Sequence, residues 1–229
     1  LGGGAGSLDM VQKPCIITPY GLLEDAAILA AVKLNSGIGV KHGWQTLSGP
    51  YKVTHSIKNV IYMLENKVAF DVYKEVVESD SNQKFSSANF FDIAKGYPFG
   101  ITKIGDEKIV RDPIMLLDDG SLVCVGDVPL NNFVHILKGQ NDSLIRAADQ
   151  AFINAREFVH PVDDESIIFI DCISRVIFLE ESFQHELDSI GSHKIPVIGA
   201  LTLGEIANSG KDFLEFYTKP AVVAIIQGL

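Results

Sequence analysis

Short apolar runs split by Gly, Asn, Ser and Pro fill the first part of the chain, at residues 25–34, 37–44 (with Val40 and Trp44), 51–53 and 60–64. That spacing predicts consecutive strands joined by tight turns, an antiparallel meander. The period then changes. Over residues 69–77, Phe70, Val72, Tyr73, Val76 and Val77 stand at near-helical spacing, and Ser86 is placed to cap a second short helix reaching Ala94. Gly96 and Pro98 end it. Runs at 100–101, 109–110, 113–117, 122–125 and 133–137 read as further strands, with Gly-Asp, Asp-Asp-Gly and Asn-Asn supplying hairpin chemistry between them. A second sheet is expected to follow the first.

The helical period is strongest in the last third. Asp142 is the expected N-cap of a helix to about Val159, whose Ile145, Ala148, Phe152, Ala155 and Val159 share one face. Residues 166–172 form a continuous apolar strand. Residues 175–190 read as a helix with Val176, Leu179, Phe183, Leu187 and Ile190 inward, and 196–201 as the next strand. Runs at 213–217 and 221–226 would complete the sheet. The pattern predicts an α/β (α+β) chain: mixed, largely antiparallel sheets with packed helices, including a C-terminal strand–helix–strand unit.

Composition narrows the function classes. A chain of 229 residues buries a sizeable core as one large domain or two modest ones. Its 47% hydrophobic and 21% charged residues are those of a folded chain, not a disordered one. The formal net charge is −10, and no cluster of Lys or Arg exceeds two, so the basic face that binds a phosphate backbone is missing and nucleic acid is not an expected partner. The longest apolar stretches fall far short of the roughly 20 residues that span a bilayer. The three cysteines, Cys15, Cys124 and Cys172, are too widely spaced for a disulfide framework or a metal knuckle. Free thiols fit a reducing cytoplasm. With no signal-peptide pattern and a start on Leu1-Gly2-Gly3-Gly4, the sequence reads as an excised fragment of a cytoplasmic protein.

Candidate chemistry is sparse. Gly2-Gly3-Gly4-Ala5-Gly6 suggests a phosphate cradle, but no helix pattern follows it, which favours a turn or a close chain crossing. His42 and Trp44 would share one face of a strand, forming either a pocket wall or an ordinary core pair. The histidines form no metal-binding spacing, although an axial haem ligand needs no local motif, and His42 is the first candidate for one. Asp171-Cys172-Ile173-Ser174-Arg175 falls where a strand ends and a helix begins, the edge at which open α/β sheets bind ligands. Arg175 there suits a carboxylate ligand or a structural ion pair. Glu205, following the next strand, would emerge on the same edge and pair with Arg175 or bracket a ligand with it. Cys172 is expected to point inward and be inert. No catalytic order of Ser, His and Asp and no GxSxG is present, so the chain is not expected to be an enzyme.

Several of these segments together resemble the FIST family. They are Gly2 to Gly6, Gly43-Trp44 with Val53-Thr54, Ala69-Phe70-Asp71-Val72-Tyr73, Tyr97-Pro98-Phe99-Gly100-Ile101 with Arg111, Cys172-Ile173-Ser174-Arg175, and Pro196 through Ile206. The resemblance runs over nearly the whole chain. It implies that residues 1–66 are the end of an N-terminal half and 67–229 a C-terminal domain. It also implies a sensory module of intracellular signal transduction, found in bacterial signalling proteins, that binds small ligands, with amino acids or related anionic metabolites as candidates. Its partners would be that ligand and a signalling output protein or domain. Two alternatives come with the family: a haem-binding sensor of nitric oxide, and a protein-recognition module like the family's F-box relative. The leading pocket is edged by Trp44, Arg111, Arg175 and Glu205, with no cofactor. The sequence departs from the family pattern at 200–203 and 213–218, which lack an aromatic turn before Gly204 and a closing Asn-Thr.

Overall fold

The computed structural model describes residues 1–9, 11–86, 88–102, 108–208 and 213–228. The first elements are β1 (Gly2–Gly3), β2 (Ile16–Thr18), β3 (Gly21–Leu23), β4 (Asn35–Lys41), β5 (Gln45–Ile57), β6 (Val60–Leu64) and β7 (Lys67–Val68). Two helices follow, α1 (Ala69–Ser81) and α2 (Phe90–Ala94), then β8 (Phe99–Ile101), β9 (Ile109–Arg111), β10 (Pro113–Leu116), β11 (Leu122–Cys124) and β12 (Phe133–Lys138). The last part holds α3 (Asn141–Arg156), β13 (Glu165–Cys172), α4 (Ile173–Leu179), a 3-10 turn (Glu180–Ser182) and α5 (Phe183–Gly191). It ends with β14 (Val197–Thr202), β15 (Glu205–Ala207), β16 (Glu215–Tyr217) and β17 (Ala221–Gln227).

The largest sheet runs in the order β10-β11-β6-β5-β12-β8-β9, with β7 added on β6. Its two outer strands, β9 and β10, are joined in sequence by Asp112 alone, so the sheet curls until it is nearly a closed barrel. Val125 N–H donates to the Asp112 carbonyl at 2.9 Å at that seam. The meander and the second sheet expected from the sequence are thus one sheet, because β5 and β12 pair along most of their length. Ala69, Val72, Tyr73 and Val77 make one buried stripe on α1, and with Phe90 and Ile93 of α2 they cover Val53, Ile61, Leu64, Leu122 and Val134 of the sheet. Each such large apolar side chain contributes about 1.5–3 kcal/mol by leaving water.

β4 leaves this sheet for another, ordered β14-β13-β17-β4, in which β13 and β14 run parallel and the other pairs antiparallel. Both large sheets therefore draw strands from the first 66 residues and from the remainder. Ala148, Phe152 and Ala155 of α3 pack on Ile167, Phe169, Val223 and Ile225. Over β4 the approach is closer still. A Cβ on Gly39 would stand 1.9 Å from the Ala151 carbonyl, and one on Gly37 2.0 Å from that of Ala155, so backbone meets backbone and only glycine fits.

Other expectations shift for local reasons. Residues 25–34 form no strand, and all but the half-buried Leu34 are exposed, since no neighbouring strand among the described residues offers them backbone partners. Asn89 rather than Ser86 precedes α2, its side chain accepting from the Ser86 N–H at 2.7 Å. Gln140 holds the N-cap of α3 and Asp142 lies in the first turn, where the helix dipole favours a carboxylate. The helix expected over 175–190 is broken at Glu180, whose φ is 51°, and the break turns Leu187 outward. The Gly105-Asp106 turn lies outside the described residues.

Candidate functional site

The carboxyl ends of β13 and β14 meet the seam of the barrel at a cluster of buried charges. Arg175, at the first turn of α4, is fully buried and every guanidinium nitrogen is engaged. Nε and Nη2 donate to Glu186 Oε1 and Oε2 at 2.9 and 2.7 Å, Nη1 to the His42 carbonyl at 2.7 Å, and Nη2 also to the Leu144 carbonyl at 2.8 Å. Asp171 Oδ1 stands 3.2 Å from Nε. Burial opposes the charge of Arg175, but Glu186 and Asp171 hold its pKa above the ordinary value. Asp171 itself is pushed well up, by burial first, with Arg175 acting the other way.

Beside this pair lies a second one. Lys219 Nζ, equally buried, is 3.0 Å from Asp112 Oδ2, donates to the Lys95 carbonyl at 3.0 Å, and sits 4.4 Å from the centroid of the Trp44 ring. Burial raises the pKa of Asp112, and Lys219 and Ser174 partly offset this. Glu205 is the third buried acid. Its Oε1 accepts from the Thr202 hydroxyl at 2.8 Å, and its Oε2 has no partner among the described residues. Burial pushes its pKa up to about 8, against the hydroxyl of Thr202 and the thiol of Cys172.

The four residues singled out from the sequence therefore gather in one region, and none of them is in the lining of the two cavities described below. Arg175 bonds Glu186 and Asp171 instead of Glu205, because the break at Glu180 folds α5 back so that Glu186 reaches it first. Trp44 is buried with its ring against Phe178, at a centroid distance of 5.0 Å. Arg111 donates to the carbonyls of Asp127 at 2.9 Å and Val110 at 3.0 Å, and its guanidinium lies 5.9 Å from the Phe216 ring. Cys172 is buried with its thiol pushed up to about 12 by burial, so no thiolate nucleophile forms there at neutral pH. Sequence reasoning missed Glu186, Lys219 and Asp112, which carry no local motif and meet only in the fold.

A cavity of about 330 Å³ opens just outside this cluster, where α1, α2, the end of β12 and α4 converge. Asp80, Lys95, Tyr97, Lys138 and Phe178 are among its walls. Lys138 Nζ is 2.7 Å from Asp80 Oδ2, which also accepts from the Tyr97 hydroxyl at 2.7 Å, and Lys95 Nζ is 2.8 Å from Glu180 Oε1. Burial works against the Asp80 charge, but Lys138 and Tyr97 hold its pKa below the ordinary value. The cavity wall is fixed from behind twice, through Lys219 on the Lys95 carbonyl and through Trp44 on Phe178.

A larger groove of about 1210 Å³ runs along the glycine-rich start. Its glycines permit a chain crossing: a Cβ on Gly3 would stand 2.4 Å from Thr202, and one on Gly4 2.5 Å from the Leu203 carbonyl. β1 pairs with β15 and opens no helix, so the architecture of a phosphate loop is not formed. Neither cavity is lined by a histidine. His42 is buried in the bend after β4, its Nδ1 accepting from the Trp44 N–H at 2.8 Å. No group of three or more His, Cys, Asp or Glu among the described residues is placed to hold a metal ion. No helix among them is long and apolar enough to cross a membrane.

No curated protein and no solved structure matches the chain. Family comparison does find a relationship: the FIST N domain matches residues 1–67 and the FIST C domain residues 69–208. The chain belongs to the FIST family of signal-transduction sensory domains.

Proposed function

We propose that this chain senses a small zwitterionic or anionic metabolite, with an amino acid as the leading candidate, in the cavity between α1, α2, β12 and α4. The observation that carries the reading is the pairing of charges around that space. Two ammonium groups, Lys95 and Lys138, and the carboxylate of Asp80 stand at its walls together with a phenol and the Phe178 ring. An amino acid would exchange these internal pairs for its own, its carboxylate on a lysine and its ammonium on Asp80, while its side chain meets Phe178. The volume suits a ligand of that size.

The chain acts by binding and passes the signal to an output protein or domain, without turnover and without a cofactor, in the cytoplasm. Support for binding over chemistry comes from the buried, inert Cys172. The region of Trp44, Arg175 and Lys219 serves as the rigid backing of the cavity. Arg111 donates to the Phe216 carbonyl of β16 at 3.4 Å, and Glu205 at the start of β15 accepts from Thr202.

Thermal unfolding against a panel of amino acids and organic acids tests this. A ligand at 100 times its Kd adds about 2.7 kcal/mol. The expected result is a stabilising amino acid whose effect is lost in Lys138→Met and Asp80→Asn. No stabilisation of the wild type by any panel member, or an effect untouched by both substitutions, would remove the cavity as the site.

A further inference from the structure

β14 is an outer strand of its sheet, paired with β13 on one side only among the described residues. Which of its backbone groups are free follows from the parallel register. The Ile167 N–H donates to the Pro196 carbonyl at 2.8 Å, so Pro196, Ile198 and Ala200 turn their backbone groups towards β13. Val197, Gly199 and Leu201 turn theirs outward. Among the described residues the edge is taken up again at Leu203, whose N–H donates to the Gly4 carbonyl at 2.9 Å.

Natural edge strands are usually guarded by a charge, a proline or a bulge. Residues 197–202 contain none: the register to β13 is unbroken, and the sequence is Val-Ile-Gly-Ala-Leu-Thr. The apolar side chains on both faces are open, with Ile198 71%, Leu201 49% and Val197 43% exposed. An edge whose outward donors and acceptors have no partner among the described residues, with apolar residues on both faces, fits another apolar strand.

We propose that β14 pairs with β14 of a second copy of this chain, antiparallel about a two-fold axis at Gly199. In that register Val197 of one copy faces Leu201 of the other on one side of the sheet. On the opposite side the bulky Ile198 faces the small Ala200, so the pattern is complementary to itself. Gly199 on the axis has no side chain to collide with its twin. It cannot be enlarged, because a Cβ would lie 1.9 Å from the Phe169 carbonyl. The three outward residues of each copy exchange about six hydrogen bonds, and the two four-stranded sheets become one. No charge lies in the strand to oppose the pairing.

Sedimentation of the whole chain across the micromolar range, with hydrogen exchange on the same samples, tests the proposal. The wild type is expected to dimerise, with the amides of Val197, Gly199 and Leu201 protected. Ile198→Lys and Leu201→Lys, both at exposed positions, are expected to weaken the dimer by roughly tenfold or more while keeping the circular dichroism and melting of a folded monomer. A wild-type monomer throughout the range would overturn the proposal. So would a dimer untouched by both lysines, unprotected amides in β14, or open-ended assembly instead of a closed pair. Ligand binding in the cavity is read separately and does not depend on this result.

Discussion

Lys219 Nζ lies 3.0 Å from Asp112 Oδ2, with the two side chains 0% and 2% exposed. Asp112 is the one residue between the outer strands of the barrel, and Lys219 stands two residues before the central strand β17. One buried ion pair therefore ties the seam of the first sheet to the middle of the second. Removing one partner leaves the other charge buried and alone, so Lys219→Met is expected to cost about 3–5 kcal/mol in urea unfolding. The double variant Lys219→Met with Asp112→Leu should regain a large part of that loss.

Glu205 makes stability depend on pH. Its folded-state pKa is about 8, against an ordinary value of 4.5, so between these values the folded chain keeps a proton that the unfolded chain releases. Its contribution is fully present below about pH 4.5 and fades as the pH rises to about 8, by on the order of a few kcal/mol. Burial raises Asp171 in the same direction. Glu205→Gln should flatten the slope over this window and be the more stable form at pH 8, as measured by denaturant midpoints at a series of pH values.

At the opposite end of the scale, Arg156 holds Glu165 through two hydrogen bonds of 2.6 Å, and the Glu165 pKa falls to about 2. This contribution is present above about pH 4.5 and is lost as the pH falls towards 2. Glu165→Gln is expected to reduce stability at pH 7 and to cost progressively less as the pH falls from about 4.5 towards 2, as read from denaturant midpoints.

Contact between α3 and β4 is set by glycine. Gly39→Ala would push a methyl group onto the Ala151 carbonyl, and it is expected to destabilise by at least the roughly 1–3 kcal/mol of an overpacked core. Calorimetric melting of the single variant measures it, and Gly191→Ala, at a site with open space around it and no left-handed φ, controls for the loss of a glycine elsewhere.

Trp44 is the single tryptophan of the chain and touches Phe178, which lines the small cavity. Filling that cavity should change the Trp44 emission in a saturable way. Phe178→Ala is expected to remove the change, because the ring that relays it is gone, and a stopped titration of the variant at ligand levels that saturate the wild type checks this.

The sequence by itself determined the element types wherever a period persisted. The α1 stripe, the α3 face, the strands β13 and β14 and the buried run of β17 follow from side-chain spacing, since each element must bury one face whatever its neighbours are. The glycine-rich start and Gly43-Trp44 also marked the family. Tertiary structure decided partnership. Nothing local tells β4 to leave β5 and cross to β17, because a strand bonds whichever edge the fold presents. The pairing of Arg175 was likewise settled at a distance: a positive φ at Glu180 breaks the helix, swings Glu186 under the guanidinium and leaves Glu205 without it. Lys219, Asp112 and the cavity walls at Asp80, Lys95 and Lys138 lie on separate elements with no shared motif. They come together only through the closure of the barrel at Asp112 and the packing of the second sheet against that seam.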